Sequence, residues 1–305
     1  MILFNKIKKQ IKKIVKKIFR FLGFNITRIK TNVKIKDYSN LCDYFKCWPN
    51  GELFMQYIYS IIIKKGDYVI DVGANHGIHT LQLSELVGEE GKVIACDAIS
   101  TNIIDIKSKL LMDNVLFHCA ALTKPEIANE MKEIEFHYYP DNDGYSGIKG
   151  KMNEKIKSRE HIITVPTITL DKIIDCMHLK NVVRISFIKI DVEGGDFDVL
   201  LGSEAILKEH KPVVVFEYIG EYAKIQYNYT KNDFFGYFNN LGYVLFKFTG
   251  NYFLESDWDE KLYHELWLVH KESEWIKFFE NSYSNFAYMC MIQRKNVYKA
   301  KGIII

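Results

Sequence analysis

DYVIDVGANHGIHT, residues 67–80, sets the fold of this chain. The apolar run Tyr68-Val69-Ile70 reads as a short buried strand ending in Asp71. The chain then turns through Gly73, Ala74, Asn75 and Gly77, and a helical pattern begins with Thr80, Leu81 and Leu83. Glycine has no Cβ, so it reaches positive φ and lets a ligand lie against bare backbone. In an open α/β sheet the ligand site lies outside the carboxyl ends of the strands, where this turn falls. A dinucleotide fingerprint would read G-x-G-x-x-G, with a pyrophosphate over the helix N-terminus. Here Asp71 puts a carboxylate at the strand tip, where a diphosphate is repelled and a cationic ligand with an amino group is welcome. S-adenosylmethionine, with its sulfonium and ammonium, has that character. An ordinary β–α turn with no ligand is the competing explanation for one such motif.

The rest of the chain repeats the pattern. Lys92 to Cys96 reads as a second strand ending in Asp97, placed where a ribose-binding acid belongs. Val115 to Cys119 reads as a third, leading into Ala120-Ala121, whose small side chains leave room for a flat adenine. Phe187 to Ile190 is a fourth, ending in Asp191-Val192-Glu193-Gly194-Gly195, and Pro212 to Phe216 a fifth, ending in Glu217. Four strand tips thus carry a carboxylate. Strands alternating with longer helical patterns predict βαβ units and a mainly parallel twisted sheet with helices on both faces.

The blocks VIDVGANHGIHT, KVIACDA, TVPTITLDKII, FIKIDVEGGDFDVLLGSEAIL and PVVVFEY, in this order, resemble the FkbM-type methyltransferase family, from about Glu52 to about Phe248. The resemblance implies a Rossmann-like class I methyltransferase fold and S-adenosylmethionine as cofactor. It also implies O-methylation of a sugar, glycan or natural-product hydroxyl. It places cofactor contacts at Asp71, Gly73, Ala74, Asn75, Gly77, Asp97, Cys119 and Ala120. Three departures stand out: His76 and His79 replace residues that are usually apolar or aromatic, and Cys96-Asp97-Ala98 stands where Phe-Glu-Pro is usual.

A methyl sulfonium is already electrophilic, so the protein must supply alignment and a base for the hydroxyl proton. Asp191 and Glu193 are the candidate catalytic residues. Read as an extended segment, they point to opposite sides, one toward the ligands and one toward the loop. Their structural alternative is Asp191 capping the helix that begins near Gly195, with Glu193 in its first turn. Asp191 and Glu217 at neighbouring tips offer a third arrangement, chelation of Mg²⁺. The Tyr138–Tyr145 loop is a further source of a base.

Charge divides the chain. Residues 1–36 hold twelve Lys/Arg and no acid, while the remainder holds 29 basic against 38 acidic groups. Phe4, Ile7, Ile11, Ile14, Val15, Ile18 and Leu22 recur at helical spacing opposite the lysines. The lysines interrupt any signal-peptide core, and no apolar run is long enough to span a bilayer. The organisation read here is a basic amphipathic helix over 1–36 and a methyltransferase domain over 37–305, with its motif core at about 52–248. Such a helix suits an anionic membrane surface, reached through residues 2–30. It would equally suit the acidic body behind it. The expected acceptor is a small molecule, glycan or lipid-linked sugar, and no nucleic acid partner is expected.

The six cysteines form no C-x-x-C pair and fit free thiols in a reducing compartment, so the expected location is cytoplasmic, peripheral at the membrane if the helix binds there. Asp141-Asn142-Asp143-Gly144 opens like a calcium loop, but Met152 stands where its last acid is needed, so it reads as a turn or substrate loop. Two other functions compete: a non-catalytic binding or scaffold module at a membrane assembly, and a nicotinamide-dependent dehydrogenase. The missing G-x-G-x-x-G opposes the second, and an acid at the strand tip has no purpose in the first.

Overall fold

The structure, a computed structural model, describes residues 51–109, 112–150, 159–179, 184–247, 250–258 and 264–281. These fall into two compact units: helix α1 (Gly51–Ile62) belongs to one, and residues from Ile63 onward to the other. The basic segment 1–36 and its boundary lie outside the described residues. No helix among the described residues is long and apolar enough to cross a membrane.

The second unit begins with β1 (Tyr68–Val72), α2 (Ile78–Val87), β2 (Lys92–Asp97), α3 (Ser100–Lys109) and β3 (Val115–Cys119). An insertion follows: β4 (Ala121–Leu122), α4 (Pro125–Glu130), β5 (Glu133–Tyr138), β6 (His161–Ile168) and α5 (Leu170–Cys176). The chain then returns through β7 (Ile185–Ile190), α6 (Asp196–Leu201), α7 (Glu204–His210), β8 (Val213–Tyr218), α8 (Gly220–Ile225) and α9 (Lys231–Asn240). It ends with β9 (Tyr243–Lys247), β10 (His264–His270) and α10 (Ile276–Glu280).

The main sheet has seven strands in the order β3-β2-β1-β7-β8-β10-β9. It is parallel from β3 to β8, and β10 runs antiparallel to both its neighbours. β1, β7 and β8 read as near-continuous apolar runs because a parallel strand is covered on both faces. Side-chain alternation shows the two layers. Asp71 and Lys189 share one face, where Thr80 of α2 bonds Asp71. Phe216 points to the other face, where Phe234 of α9 packs at 6.2 Å between ring centroids. This is the Rossmann-like α/β fold expected.

All five strands read from the sequence are present. β9 and β10 are additions to that reading. So is a second, three-stranded sheet in the order β4-β6-β5. Its inner face, Phe136 and Val165, packs with Ala121 and Ile99 into a small core beside the ends of β2 and β3. From β1 the chain winds outward through β2 to β3, then crosses back to lay β7 on the other side of β1. That reversal opens a crevice at the carboxyl ends of β1 and β7, the place such sheets reserve for ligands.

Candidate active site

The crevice is a cleft whose empty space, counted out to open solvent, is about 740 Å³. Gly73 and Asn75 line it from the β1 turn, Asp97 and Asn102 from β2 and α3, and Ala120 and Ala121 from the end of β3. Asp191 and Glu193 come from the β7 turn, Gly144 and Ser146 from the insertion, and Tyr227 from the segment after α8.

The β1 turn is built on left-handed backbone. Gly73 (φ 74°), Asn75 (φ 45°) and Gly77 (φ 78°) all have positive φ. Gly77 also stands at the N-cap of α2, where it accepts the Leu81 N–H. Gly73 and Ala74 both donate to the Cys96 carbonyl, at 2.9 and 3.0 Å, so the turn is strapped to β2. Ala74 serves this strapping and Gly77, whose N–H goes to the Ala74 carbonyl, closes the turn; neither lines the cleft. Gly73 lines it, yet its missing side chain is required elsewhere. A Cβ there would lie 1.8 Å from the Asp191 carbonyl oxygen.

Asp97 organises the ribose side. Its Oδ2 accepts the Asn75 N–H at 2.8 Å, and its Oδ1 accepts the Ile99 N–H at 2.8 Å and the Asn102 amide at 3.3 Å. A carboxylate offers about four acceptor positions, so roughly one remains for a ligand hydroxyl. Burial pushes the Asp97 carboxyl up, and the Ile99 and Asn75 N–H groups pull it back. Ala120 lines the cleft as expected, while Cys119 is half-buried, outside the lining, with its thiol 3.8 Å from the Ala98 carbonyl. Cys96 and Cys119 are free thiols.

Asp71 departs from expectation. Its carboxylate is fully buried beneath the turn and does not line the cleft. Oδ2 accepts from the Thr80 hydroxyl at 2.6 Å, and Oδ1 lies 3.5 Å from the Lys189 ammonium. The pair follows from register, since Asp71 and Lys189 are direct partners on β1 and β7. Lys189 also reaches Asp191 Oδ2 at 3.4 Å and the Gly73 carbonyl at 3.5 Å. The two interior charges face each other, although Asp71 Oδ1 meets Lys189 only as an ion pair and accepts no hydrogen bond among the described residues. The Asp71 carboxylate thus faces Thr80 and Lys189 rather than the cleft. Asn75 supplies an alternative: its Oδ1 is buried with no hydrogen-bond partner among the described residues. A buried acceptor left without a donor costs free energy until a ligand N–H fills it.

Asp191 and Glu193 do not sit on an extended segment. Glu193 (φ 59°) and Gly194 (φ 103°) are both at positive φ, so the chain reverses and both residues line the same cleft. Nor does either start the helix. Gly195 is the N-cap of α6, with no side-chain cap. Asp191 is half-exposed, its carboxylate already beside Lys189. Glu217 contributes its backbone N–H to Asp196 at 3.1 Å. Among the described residues no group of three His, Cys, Asp or Glu is arranged to hold a metal ion.

Gly144 belongs to the loop expected as a turn or substrate loop, whereas Asn102, Ser146, Ile148 and Tyr227 line the cleft with no forewarning in the sequence. The insertion folds back so that Gly144 faces Asn75, a Cβ there lying 3.5 Å from the Asn75 amide. Ser146 accepts the Tyr139 N–H at 3.1 Å, fixing the loop, and Gln226 donates to the Gly150 carbonyl at 2.6 Å. Gly144, in the short 3₁₀ turn Asp143–Tyr145, thus brings that loop to the cleft.

The sequence profile of the Methyltransferase FkbM domain matches residues 71–245. No curated protein matches the chain significantly. Among solved structures, an rRNA-methylase candidate from Clostridium thermocellum is similar at 14% identity and a TM-score of 0.43, covering 74% of this chain and 99% of that one. A candidate methyltransferase from Streptococcus mutans in complex with SAH is similar at 13% identity and a TM-score of 0.40, covering 72% and 97%. A methyltransferase FkbM from Methylobacillus flagellatus KT is similar at 13% identity and a TM-score of 0.38. There 72% of this chain matches 50% of that one. None of these likenesses is close enough to carry a residue's role across.

Proposed function

This chain belongs to the FkbM methyltransferase family, and from that premise we propose that it is an S-adenosylmethionine-dependent O-methyltransferase acting on a sugar, glycan or natural-product hydroxyl. The observation that carries the proposal is the convergence of Asn75, Asp97, Ala120, Asp191 and Glu193 on one cleft at the switch point of the sheet.

The residues present fit the methyl donor. Asp97 would hold the ribose, Ala120 and Ala121 would admit the adenine, and the orphan Oδ1 of Asn75 would take an N–H donor. When bound, S-adenosylmethionine supplies an electrophilic methyl group. A sugar hydroxyl becomes a competent nucleophile as its proton leaves, which needs a base within about 3 Å. Asp191 and Glu193 sit in the cleft wall as two candidate acceptors of that proton. Lys189 holds Asp191 from behind at 3.4 Å, so the half-exposed carboxylate is kept at one place in the cleft. Gly144, Ser146 and Ile148 of the insertion also line the cleft, where they would exclude water from the bound ligands.

The basic segment 2–30 is proposed as the site of contact with an anionic membrane surface, which would place a lipid-linked sugar among the acceptors. Its support is the separation of charge along the sequence. Incubation with S-adenosylmethionine and a panel of oligosaccharides and lipid-linked sugars, read by mass spectrometry, tests the acceptor class. A mass gain of one methylene that survives mild base and maps to a hydroxyl supports O-methylation. Gain only on amines overturns it.

A further inference from the structure

We propose that Asp196 is a positioning residue: its buried carboxylate ties the turn bearing Asp191 and Glu193 to the tip of β8 and so sets both side chains in the cleft. The inference rests on the reading of those two carboxylates as the groups that face the acceptor. Asp196 is 1% exposed and does not line the cleft, so it cannot touch a ligand. Its Oδ2 accepts the Gly194 N–H at 3.3 Å, and its Oδ1 accepts the Glu217 N–H at 3.1 Å. The two donors lie on different strands' tips, one after β7 and one in β8. A single carboxylate therefore bridges the turn to its neighbour.

The turn needs such a tie. Glu193 occupies the left-handed region, which is unfavourable for a residue with a Cβ and persists only where the surroundings hold it. The helix that follows gives no side-chain cap to the turn. Releasing Gly194 would let Glu193 return to ordinary φ, and its carboxylate would leave the cleft wall. Asparagine cannot replace Asp196 fully, because its amide nitrogen would confront one of the two N–H donors.

The groups facing Asp196 are ionisable on several sides. Asp191 and Glu193 lie on the turn and Tyr229 on the segment before α9, while Glu217 of β8 meets it through its backbone N–H. Burial, with the charges of Asp191 and Glu193 nearby, pushes the Asp196 carboxyl up to about 7. Protonation there would weaken its two accepted hydrogen bonds together, so the tie would loosen as pH falls through neutrality.

Amide hydrogen exchange on the full chain tests this, in wild type and in Asp196→Asn and Asp196→Ala, with folding checked by circular dichroism. In wild type the Gly194 and Glu217 amides should lose tenfold or more of their protection as pH falls from about 8 to about 6, after correction for intrinsic exchange. In Asp196→Asn at least one of the two should be unprotected at every pH, and the pH step should vanish. S-adenosylhomocysteine affinity should stay within about twofold in that variant, because the residue lies outside the cleft lining. Equal, pH-independent protection of both amides in wild type and Asp196→Asn would overturn the proposal. Failure of wild type to bind S-adenosylhomocysteine would instead overturn the methyltransferase site, leaving the exchange result to stand or fall alone.

Discussion

Gly73 and Asp191 meet tip to tip: a Cβ on Gly73 would stand 1.8 Å from the Asp191 carbonyl oxygen. The turn that cradles the cofactor and the turn that carries the candidate base are thus one packed unit. Gly73→Ala should therefore cost stability as well as binding. Overpacking and a left-handed alanine together predict a loss of about 3 kcal/mol or more in urea denaturation. A variant as stable as wild type would show that the two tips are free to part.

Lys189 is the buried ammonium behind both turns. Removing it as Lys189→Met leaves Asp71 as an unpaired interior charge, which should destabilise by roughly 3–5 kcal/mol. Adding Asp71→Asn should recover most of that loss, because the double variant has no interior charge left at this pair. Equilibrium denaturation of the two single variants and the double variant measures the coupling. A strictly additive result would mean the pair is not coupled in the folded protein.

How much of this could be read beforehand differs from strand to strand. β1, β2, β3, β7 and β8 are short, largely apolar runs, all but β3 ending at or near acids, and hydrophobic pattern with turn residues identified each of them. The small sheet was missed although Ile134, Phe136 and Tyr138 alternate with Glu133, Glu135 and His137. Its third strand is two residues long, and Pro166 falls within β6, where proline argues against a strand. Asp71 was legible as a strand-tip acid, but not its partner. Lys189 becomes its neighbour only through the β1–β7 register, which nothing local in the sequence specifies. The reversal at Glu193 was hidden for a different reason. A glutamate at positive φ violates the local preference that sequence reading relies on, and behind it stands Asp196, which accepts the Gly194 N–H and, across to β8, the Glu217 N–H.

Acid and base should act on the protein in a definite direction at Asp196. Its carboxyl is raised from 3.8 to about 7. The folded state thus holds the proton more tightly than the unfolded chain. The associated stability is present in full below the unfolded value and is lost as pH rises to about 7. Relative to Asp196→Asn, wild type should lose global stability between about pH 4 and about pH 7, because burying the charge costs more than the tighter hydrogen bonds from Gly194 and Glu217 give back. Paired urea titrations across that window check the sign. A wild-type advantage that grows with pH would contradict it.

Catalysis should separate from folding at the β7 turn. Asp191→Asn and Glu193→Gln keep shape and remove charge, so both should fold and bind S-adenosylhomocysteine. Whichever serves as base should lose about 10²–10⁴ in turnover with an identified acceptor. Normal turnover in both would move the base to the insertion, on the Tyr138–Tyr145 loop.

The basic N-terminal segment makes a prediction from charge alone. The full chain should sediment with phosphatidylserine-containing vesicles at low salt. That binding should fade as the screening length shortens from about 10 Å at 0.1 M to about 3 Å at 1 M. Deleting residues 2–30 should abolish sedimentation and spare S-adenosylhomocysteine binding. Indifference of the full chain to anionic vesicles at low salt would end the membrane proposal.

The central claim is that the methyl donor lies in the cleft at the tips of β1, β2 and β7, with Asp97 among its contacts. Calorimetric titration with S-adenosylhomocysteine of wild type and Asp97→Ala, with folding of the variant checked, tests it most directly. One site per chain is predicted, weakened in the variant by about 1.5–3 kcal/mol, as for loss of a hydrogen bond to a charged group. No binding by wild type, or equal binding by a folded Asp97→Ala, would contradict it.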